Sequence, residues 1–397
     1  MWHWLDITVW TTLLAADTAD GPRLDVRTNL LLGTVLGLLA AAFFIGRALR
    51  RAPESTANPA VVRTFNMRVR VWWMMCVILI AGFILGYIAT VVMFGLVSFW
   101  ALREFITMTP TRRGDHRTLF WTFFLFTPLQ YVLVGMGHGY YGLYTVMIPV
   151  YASLFIPARI AVSGDPKRFL ERVAKIQAGL LICVYALSHA PALLDLKLQR
   201  SDGQPWILEG TAAASTAASD ETSNSDAPAP KAARSKAVDS AKAGPNANAP
   251  AALPPVQGTP GSNYGLLFYF ILLVQLNDVF QFAWGNLLGR HVIAPQINAS
   301  RSWEGFIGGA LSTMLVGLLL YKVTPFQAWE AACISLAVAM MGFAGSISMS
   351  AIKRDRGVKD YGTLVQGHAG VLDRIDSICF AAPVFFHLTR YFFSEFP

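Results

Sequence analysis

Apolar runs of about 20 residues recur along most of this chain, and each is long enough to cross a bilayer as a helix. In hydrocarbon, every backbone N–H and C=O must be satisfied within its own segment, so such runs specify spanning helices. The candidate spans are 29–47, 71–86, 87–106, 118–136, 140–158, 174–194, 264–284, 303–322, 329–348 and 376–393. The stretch 71–106 is long enough for one tilted helix or two short spans; a turn near Gly82–Gly86 favours two. Only 14% of the 397 residues are charged and 54% are hydrophobic, whereas a soluble domain carries roughly 25% charged residues. The expected fold class is all-α, a polytopic membrane protein with about ten transmembrane helices.

The remaining segments set the domain plan. Residues 1–28 are too short in apolar length to span, and Trp2, Trp4 and Trp10 suit an interfacial segment. The N-terminus lacks a basic n-region, so no cleaved signal peptide is expected. Residues 201–262 are rich in Ala, Pro, Ser, Thr and Asn. That composition cannot bury enough apolar surface to offset ordering entropy, and it predicts a disordered external linker. The linker divides an N-terminal transmembrane half, 29–200 with six spans, from a C-terminal catalytic half, 263–397 with four.

Charge gives the orientation. The larger share of the 32 lysines and arginines falls in loops that ten spans place on one side, which the positive-inside rule makes cytoplasmic. The net charge of +8 therefore does not imply nucleic acid, since the basic residues flank spans and form no stripe with interleaved aromatics. Cys76, Cys183, Cys333 and Cys379 lie apart inside apolar runs with no C-x-x-C pair, so neither a disulfide framework nor a zinc site is indicated and they read as small buried hydrophobes.

The stretch Ser350 to Asp376 breaks the apolar pattern. It gathers Lys353, Arg354, Arg356, Lys359 and Arg374 with Asp355, Asp360, Asp373 and Asp376, among Gly357, Gly362, Gly367 and Gly370, with His368 near the middle. Lysine and arginine neutralise phosphate oxygens. Glycines allow close backbone approach. Carboxylates in such company hold Mg²⁺ shared with phosphates. The run reads either as a solvated cytoplasmic loop or as a metal–nucleotide site. Asp278, inside the run 264–284, is an ionisable group where burial is expensive and function is the default reading. With Glu304 opening the next span, and Asp373 and Asp376 three apart on one helical face, the topology places four acids on the cytoplasmic side.

The order of these residues resembles the C-terminal signature of the phosphatidate cytidylyltransferases (CDP-diacylglycerol synthases). The matching positions are Ser350, Lys353, Arg354, Gly357, Lys359, Asp360, Gly362, Gly367, His368, Gly370, Asp373, Arg374 and Asp376. A second region matches at Asp278, Gly285, Gly289, Arg290, Pro295, Trp303, Glu304 and Gly305. Arg301 and Ser302 stand there for Lys and Thr, and Asn298 and Ala299 for Ser-Pro. Arg103–Glu104 ends a span much as in the family. Two departures matter in the signature itself. Gln366 and Ala369 replace Pro and Gly, and Ser346 stands where the family has a metal-binding Asp.

The resemblance implies transfer of a cytidylyl group from CTP to phosphatidate, giving CDP-diacylglycerol and pyrophosphate. It assigns catalytic roles to Asp373, Lys353, Arg354, Lys359, Asp360, His368 and Arg374, and nucleotide binding to Arg301, Glu304, Gly367 and Gly370. Mg²⁺ would be held by Asp373, Asp278, Asp376 and Ser346. A hydroxyl at 346 adds no charge, which leaves open whether one ion or two are bound. The implied partners are CTP, phosphatidate and membrane lipids, with no nucleic acid, and the family suggests a homodimer. The implied setting is the bacterial inner membrane. Two other readings stay open: transfer to a different lipid phosphate, or a catalytically weak, lipid-binding paralogue.

Overall fold

Gly86 divides the long apolar stretch 71–106 into two helices. Its φ of 97° lies in the left-handed region that L side chains resist. Helix α2 (Pro59–Leu85) ends before it and α3 (Tyr87–Thr107) begins after it. The two pack against each other, as the two-span reading expects.

The structure is a computed structural model and describes residues 26–49, 59–108, 112–199, 263–357 and 370–394. The expected interfacial segment, apart from its last three residues, and the expected linker 201–262 lie outside the described residues. Helix α1 is Val26–Leu49. Three helices follow α3: α4 (His116–Gly135), α5 (Tyr141–Ala161) and α6 (Phe169–Asp195). Then come α7 (Tyr264–Leu288), α8 (Trp303–Leu319), α9 (Ala328–Asp355) and α10 (Leu372–Phe393). Every predicted span corresponds to one of these helices.

Among the described residues, seven helices are long and apolar enough to cross a membrane, and Trp72–Leu85 and Trp303–Leu319 are shorter apolar helices. Leu30, Phe44, Leu96, Leu154, Leu315 and Leu319 are exposed. Outward apolar faces of this kind suit helices solvated by lipid. The chain is a polytopic helical membrane protein.

Helices α4 to α6 are not uniform. Thr122–Phe126, Met147–Ala152 and Leu181–Ala186 are wound as π-helix. Pro149 lies inside the second of these and Pro128 just beyond the first. Each proline removes an N–H from the i→i−4 ladder, and a wider turn accommodates the loss.

One element departs from the all-helical expectation. Between α7 and α8, β1 (Val292–Ala294) and β2 (Asn298–Ser302) pair antiparallel, with Val292 opposite Ser302 and Ala294 opposite Asn298. The tight turn closes through Ile297 N–H to the Ala294 carbonyl at 3.0 Å. Polar residues and a short turn hid this hairpin in what reads as loop sequence.

The helices on both sides of the expected linker belong to one compact unit. Helices α7 to α10 pack in succession, and α10 also rests on α3 and α6. Its Phe385 stacks on Phe270 of α7 with ring centroids 4.9 Å apart. Phe386 meets His189 of α6 at 5.2 Å. Burying large rings on both sides of α10 fixes its rotation, and with it the direction of the polar residues at its start.

Candidate active site

Asp278 sits ten residues before the end of α7, about 15 Å along the helix axis. That is farther from the helix end than the apolar run 264–284 implies, because the helix continues to Leu288. The neighbouring Asn277 is fully buried. Its Nδ2 donates to the Ala339 carbonyl of α9 at 3.0 Å, and its Oδ1 accepts from Thr313 of α8 at 3.3 Å. Both halves of the amide are satisfied, so Asn277 locks the register of three helices around Asp278.

Arg301 reaches back to Asp278 from β2. Its Nη2 donates to Asp278 Oδ1 at 3.2 Å and to Ser346 Oγ at 2.6 Å, and its Nη1 donates to Gln281 Oε1 at 2.6 Å. A planar guanidinium can serve three acceptors in one plane, which a lysine ammonium cannot do with the same geometry. Ser346 on α9 thus holds Arg301.

The start of α10 supplies the other acids. Asp376 is buried, and its Oδ1 accepts from the Ser377 amide at 2.7 Å. Ser377 Oγ donates to Asp278 Oδ2 at 2.8 Å and lies 3.4 Å from Asp376 Oδ1, so one hydroxyl stands between two carboxylates. Asp376 is within electrostatic reach of Asp278, Lys353 and Asp373. Lys353, on the last turn of α9, pairs with Asp373 through Nζ to Oδ1 at 2.7 Å. Arg374 lies within electrostatic reach of Asp373, and its carbonyl accepts from Gln275 Nε2 at 3.3 Å. Gly370 is buried just ahead of the helix.

Gly345 makes this approach of α9 to α10 possible. A Cβ there would stand 2.8 Å from the Asp376 carbonyl oxygen and 2.9 Å from Phe380 Cβ.

Two expected site residues sit at the rim. Glu304 opens α8, but its carboxylate turns to the hairpin entrance. It accepts from the Arg290 and His291 amides at 3.2 Å and pairs with His291 Nδ1 at 2.6 Å. Arg354 donates from Nε to the Ile297 carbonyl at 3.1 Å, tying the hairpin turn to the end of α9. Asn298 Nδ2 adds a contact to Ser350 Oγ at 3.3 Å. Lys359, Asp360, Gly367 and His368 lie outside the described residues.

Sequence reasoning missed Gln281 and Ser377 as partners, and its alternative of Asn277 pairing with Asp278 gives way to Asn277 bonding Ala339 and Thr313. Neutral polar residues in or beside apolar runs carry no charge signal, although Asn277 and Gln281 both sit within a turn of Asp278. His291, with no motif around it, reads from sequence as a structural histidine, and the structure makes it the partner of Glu304.

A profile described as the cytidylyltransferase family matches residues 66–392. This chain belongs to the cytidylyltransferase family. The uncharacterized protein YnbB of Escherichia coli (strain K12) is 32% identical to this chain over 364 residues, 91% of this chain and 97% of that protein. Phosphatidate cytidylyltransferase of Staphylococcus saprophyticus subsp. saprophyticus is 36% identical over 121 residues, 30% of this chain and 46% of that protein. The enzyme of the same name from Mycobacterium leprae is 35% identical over 129 residues, 32% of this chain and 40% of that protein. The match to these named enzymes thus spans less than half of their own length, while the match to YnbB is nearly complete.

Among the described residues, no group of three or more His, Cys, Asp or Glu is arranged to hold a metal by itself. The candidate donors are nonetheless hard oxygens, with Asp278 and Asp376 both bonded to Ser377. Two carboxylates within electrostatic reach repel, and a cation relieves that repulsion. In donor type, which is hard oxygen, these residues fit a divalent ion.

Proposed function

We propose that the protein transfers the cytidylyl group of CTP to phosphatidate, releasing pyrophosphate and forming CDP-diacylglycerol. The observation that carries this reading is the meeting of Asp278, Asp373 and Asp376 with Lys353, Arg301 and Arg374 where α7, β2, α9 and α10 converge. Three carboxylates and three cations in one place suit the joining of two polyanions, and no nucleophilic Ser or Cys is required.

In the reaction, an oxygen of the lipid phosphate attacks the α-phosphorus of CTP. The bond from that phosphorus to the β-bridging oxygen breaks, and pyrophosphate leaves with the electron pair. The nucleophile is already anionic near neutral pH, so no general base is needed. Lys353, Arg374 and Arg301 neutralise phosphate charge and hold the reactants in line. Asp278 and Asp376, with Asp373 beside them, would hold Mg²⁺. The ion supplies Lewis-acid stabilisation of charge on the phosphate oxygens. Lys359, Asp360 and His368 are proposed to act in the same site, with Gly367 and Gly370 admitting the phosphates closely. The lipid tails would lie in the cytoplasmic leaflet of a bacterial inner membrane, beside the last four helices.

The distribution of basic residues favours that side of the membrane. The six-span half is proposed as the scaffold and the four-span half as the catalytic part, the protein acting as a homodimer.

The test is purified protein with Mg²⁺, labelled CTP and phosphatidate, scored for CDP-lipid, alongside Asp373→Asn. Product from wild type and none from the variant is expected; no product from wild type with any lipid phosphate sinks the reading. A second reading keeps the chemistry and changes the acceptor to another lipid phosphate. It is favoured by the full-length likeness to an uncharacterized protein and the partial likeness to the phosphatidate enzymes. Product from polyprenyl or ether-lipid phosphates alone would select it. A third reading, a weakened paralogue, draws on Ser346 and would show as activity appearing only in Ser346→Asp.

A further inference from the structure

The amides that open α10 are capped from outside the C-terminal half. Val371, which precedes the helix, already has helical backbone angles, and its side chain offers no cap. Glu104, near the end of α3, supplies the acceptors. Its Oε1 accepts from Val371 N at 3.1 Å and its Oε2 from Leu372 N at 2.9 Å. Trp100, one turn earlier on α3, donates from Nε1 to Oε1 at 3.0 Å. Both oxygens are therefore committed, and one is braced from its own helix.

Unpaired amides at a helix start are costly when buried, and an anionic acceptor there gains from both charge assistance and the helix dipole. Asp373 follows Leu372 directly, and Asp376 lies one turn on. The two amides that Glu104 holds are thus the fixed origin from which both carboxylates project.

We propose that Glu104 is a positioning residue for the candidate site. Through the Val371 and Leu372 amides it sets where Asp373 and Asp376 stand, so the N-terminal half takes part in the geometry of the reaction. This rests on the cytidylyl-transfer reading for its kinetic consequence, but its structural consequence is independent of it. Glu171 offers a control. It pairs with Arg356 at 3.1 Å and also links the two halves, but it is exposed, and its ion pairs run to Arg356 and Arg168.

The experiment uses the full chain in lipid nanodiscs as wild type, Glu104→Ala, Glu104→Gln and Glu171→Gln. Three quantities are read: hydrogen exchange over 370–376, Mn²⁺ affinity by electron paramagnetic resonance, and kcat and KM for CTP and phosphatidate. In Glu104→Ala, exchange at Val371 and Leu372 is expected to rise about tenfold or more. Mn²⁺ affinity should fall about tenfold, as for loss of a group that orients metal ligands. A shift of the acids by about 1 Å should lower kcat about 100-fold, with KM for the lipid little changed. Glu104→Gln keeps one carbonyl acceptor without charge, and should fall between wild type and Glu104→Ala on all three. Glu171→Gln should match wild type within about twofold, as exposed pairs contribute little.

Unchanged exchange in both Glu104 variants overturns the proposal, whatever the wild type catalyses. Raised exchange with unchanged Mn²⁺ affinity and kcat overturns it too, leaving Glu104 a structural cap. A wild type that makes no CDP-lipid, with exchange and Mn²⁺ affinity both altered in Glu104→Ala, supports the positioning role while removing the transferase reading.

Discussion

Arg301 donates to Ser346 across 2.6 Å, joining β2 to α9 at the point where Asp278 also receives the guanidinium. The pair is self-consistent: a forked cation stands beside a neutral hydroxyl. Arg301→Lys should lower kcat/KM for CTP about tenfold, since a point charge cannot reach Asp278, Ser346 and Gln281 together. Ser346→Asp alone should place a carboxylate against Asp278 and raise Mn²⁺ affinity. The double variant should retain more activity than the product of the single effects, with a coupling of about 1–2 kcal/mol in a double-mutant cycle. Strict additivity would show that the two positions act separately.

Lys353 and Asp373 form the most enclosed of the site's charge pairs, with side chains 14% and 10% exposed. Removing one member takes a close ion-pair partner from a charge that is largely enclosed. Lys353→Met and Asp373→Asn should each destabilise the protein by about 3 kcal/mol, and the double variant by less than either single one. Thermal unfolding in detergent measures this, while CDP-lipid formation should be lost in all three.

Gly345→Ala should separate α9 from α10. The added methyl would meet the Asp376 carbonyl and Phe380, with backbone on one side and little room to give. Overpacking of this kind costs about 1–3 kcal/mol, and here it also displaces Asp376, so Mn²⁺ affinity should fall with stability. Gly142→Ala is the matched control, since nothing lies within 4 Å of a Cβ at that position. A normal melting temperature for Gly345→Ala would contradict the close packing at Asp376.

Divalent-ion dependence should divide the site residues into two groups. EDTA should abolish activity and Mg²⁺ restore it. Asp278→Asn and Asp376→Asn should each weaken Mn²⁺ binding about tenfold or more. Arg354→Ala should leave Mn²⁺ binding alone and raise KM for CTP, because Arg354 anchors the hairpin through the Ile297 carbonyl. Titration of Mn²⁺ by electron paramagnetic resonance distinguishes the two groups.

Much of the architecture was legible in the chain because spanning helices are specified by length and hydropathy, which need no tertiary context. The break at Gly86 was legible for the same reason, since 71–106 was long enough for two spans and held a glycine at its middle. Asp278 was legible because a charge in an apolar run is conspicuous, and Asp373 and Asp376 because they close a charged stretch at the start of the last span. Their partners were not. Whether Ser346 faces a metal or a guanidinium depends on where Arg301 lands, and that depends on a hairpin whose polar sequence looks like any loop. Glu304 illustrates the same limit: it stands in the first turn of α8, but the two amides that draw its carboxylate aside are set by the fold of 290–302. Glu104 had been noticed only as the end of a span, since its targets lie 267 and 268 residues further along the chain.

The three π-wound turns in α4, α5 and α6 alter how these helices meet their surroundings. Each widened turn lodges about one residue more than an α-helix allots, and one residue corresponds to about 100° of rotation. The stripe of side chains that one end of such a helix shows to its neighbours is therefore not continued by the other end. A single-residue deletion at Thr122–Phe126, Met147–Ala152 or Leu181–Ala186 would return the winding to a regular α-helix and leave the far end nearly in place, whereas the same deletion in the α-wound part of these helices would turn everything beyond it by about 100°.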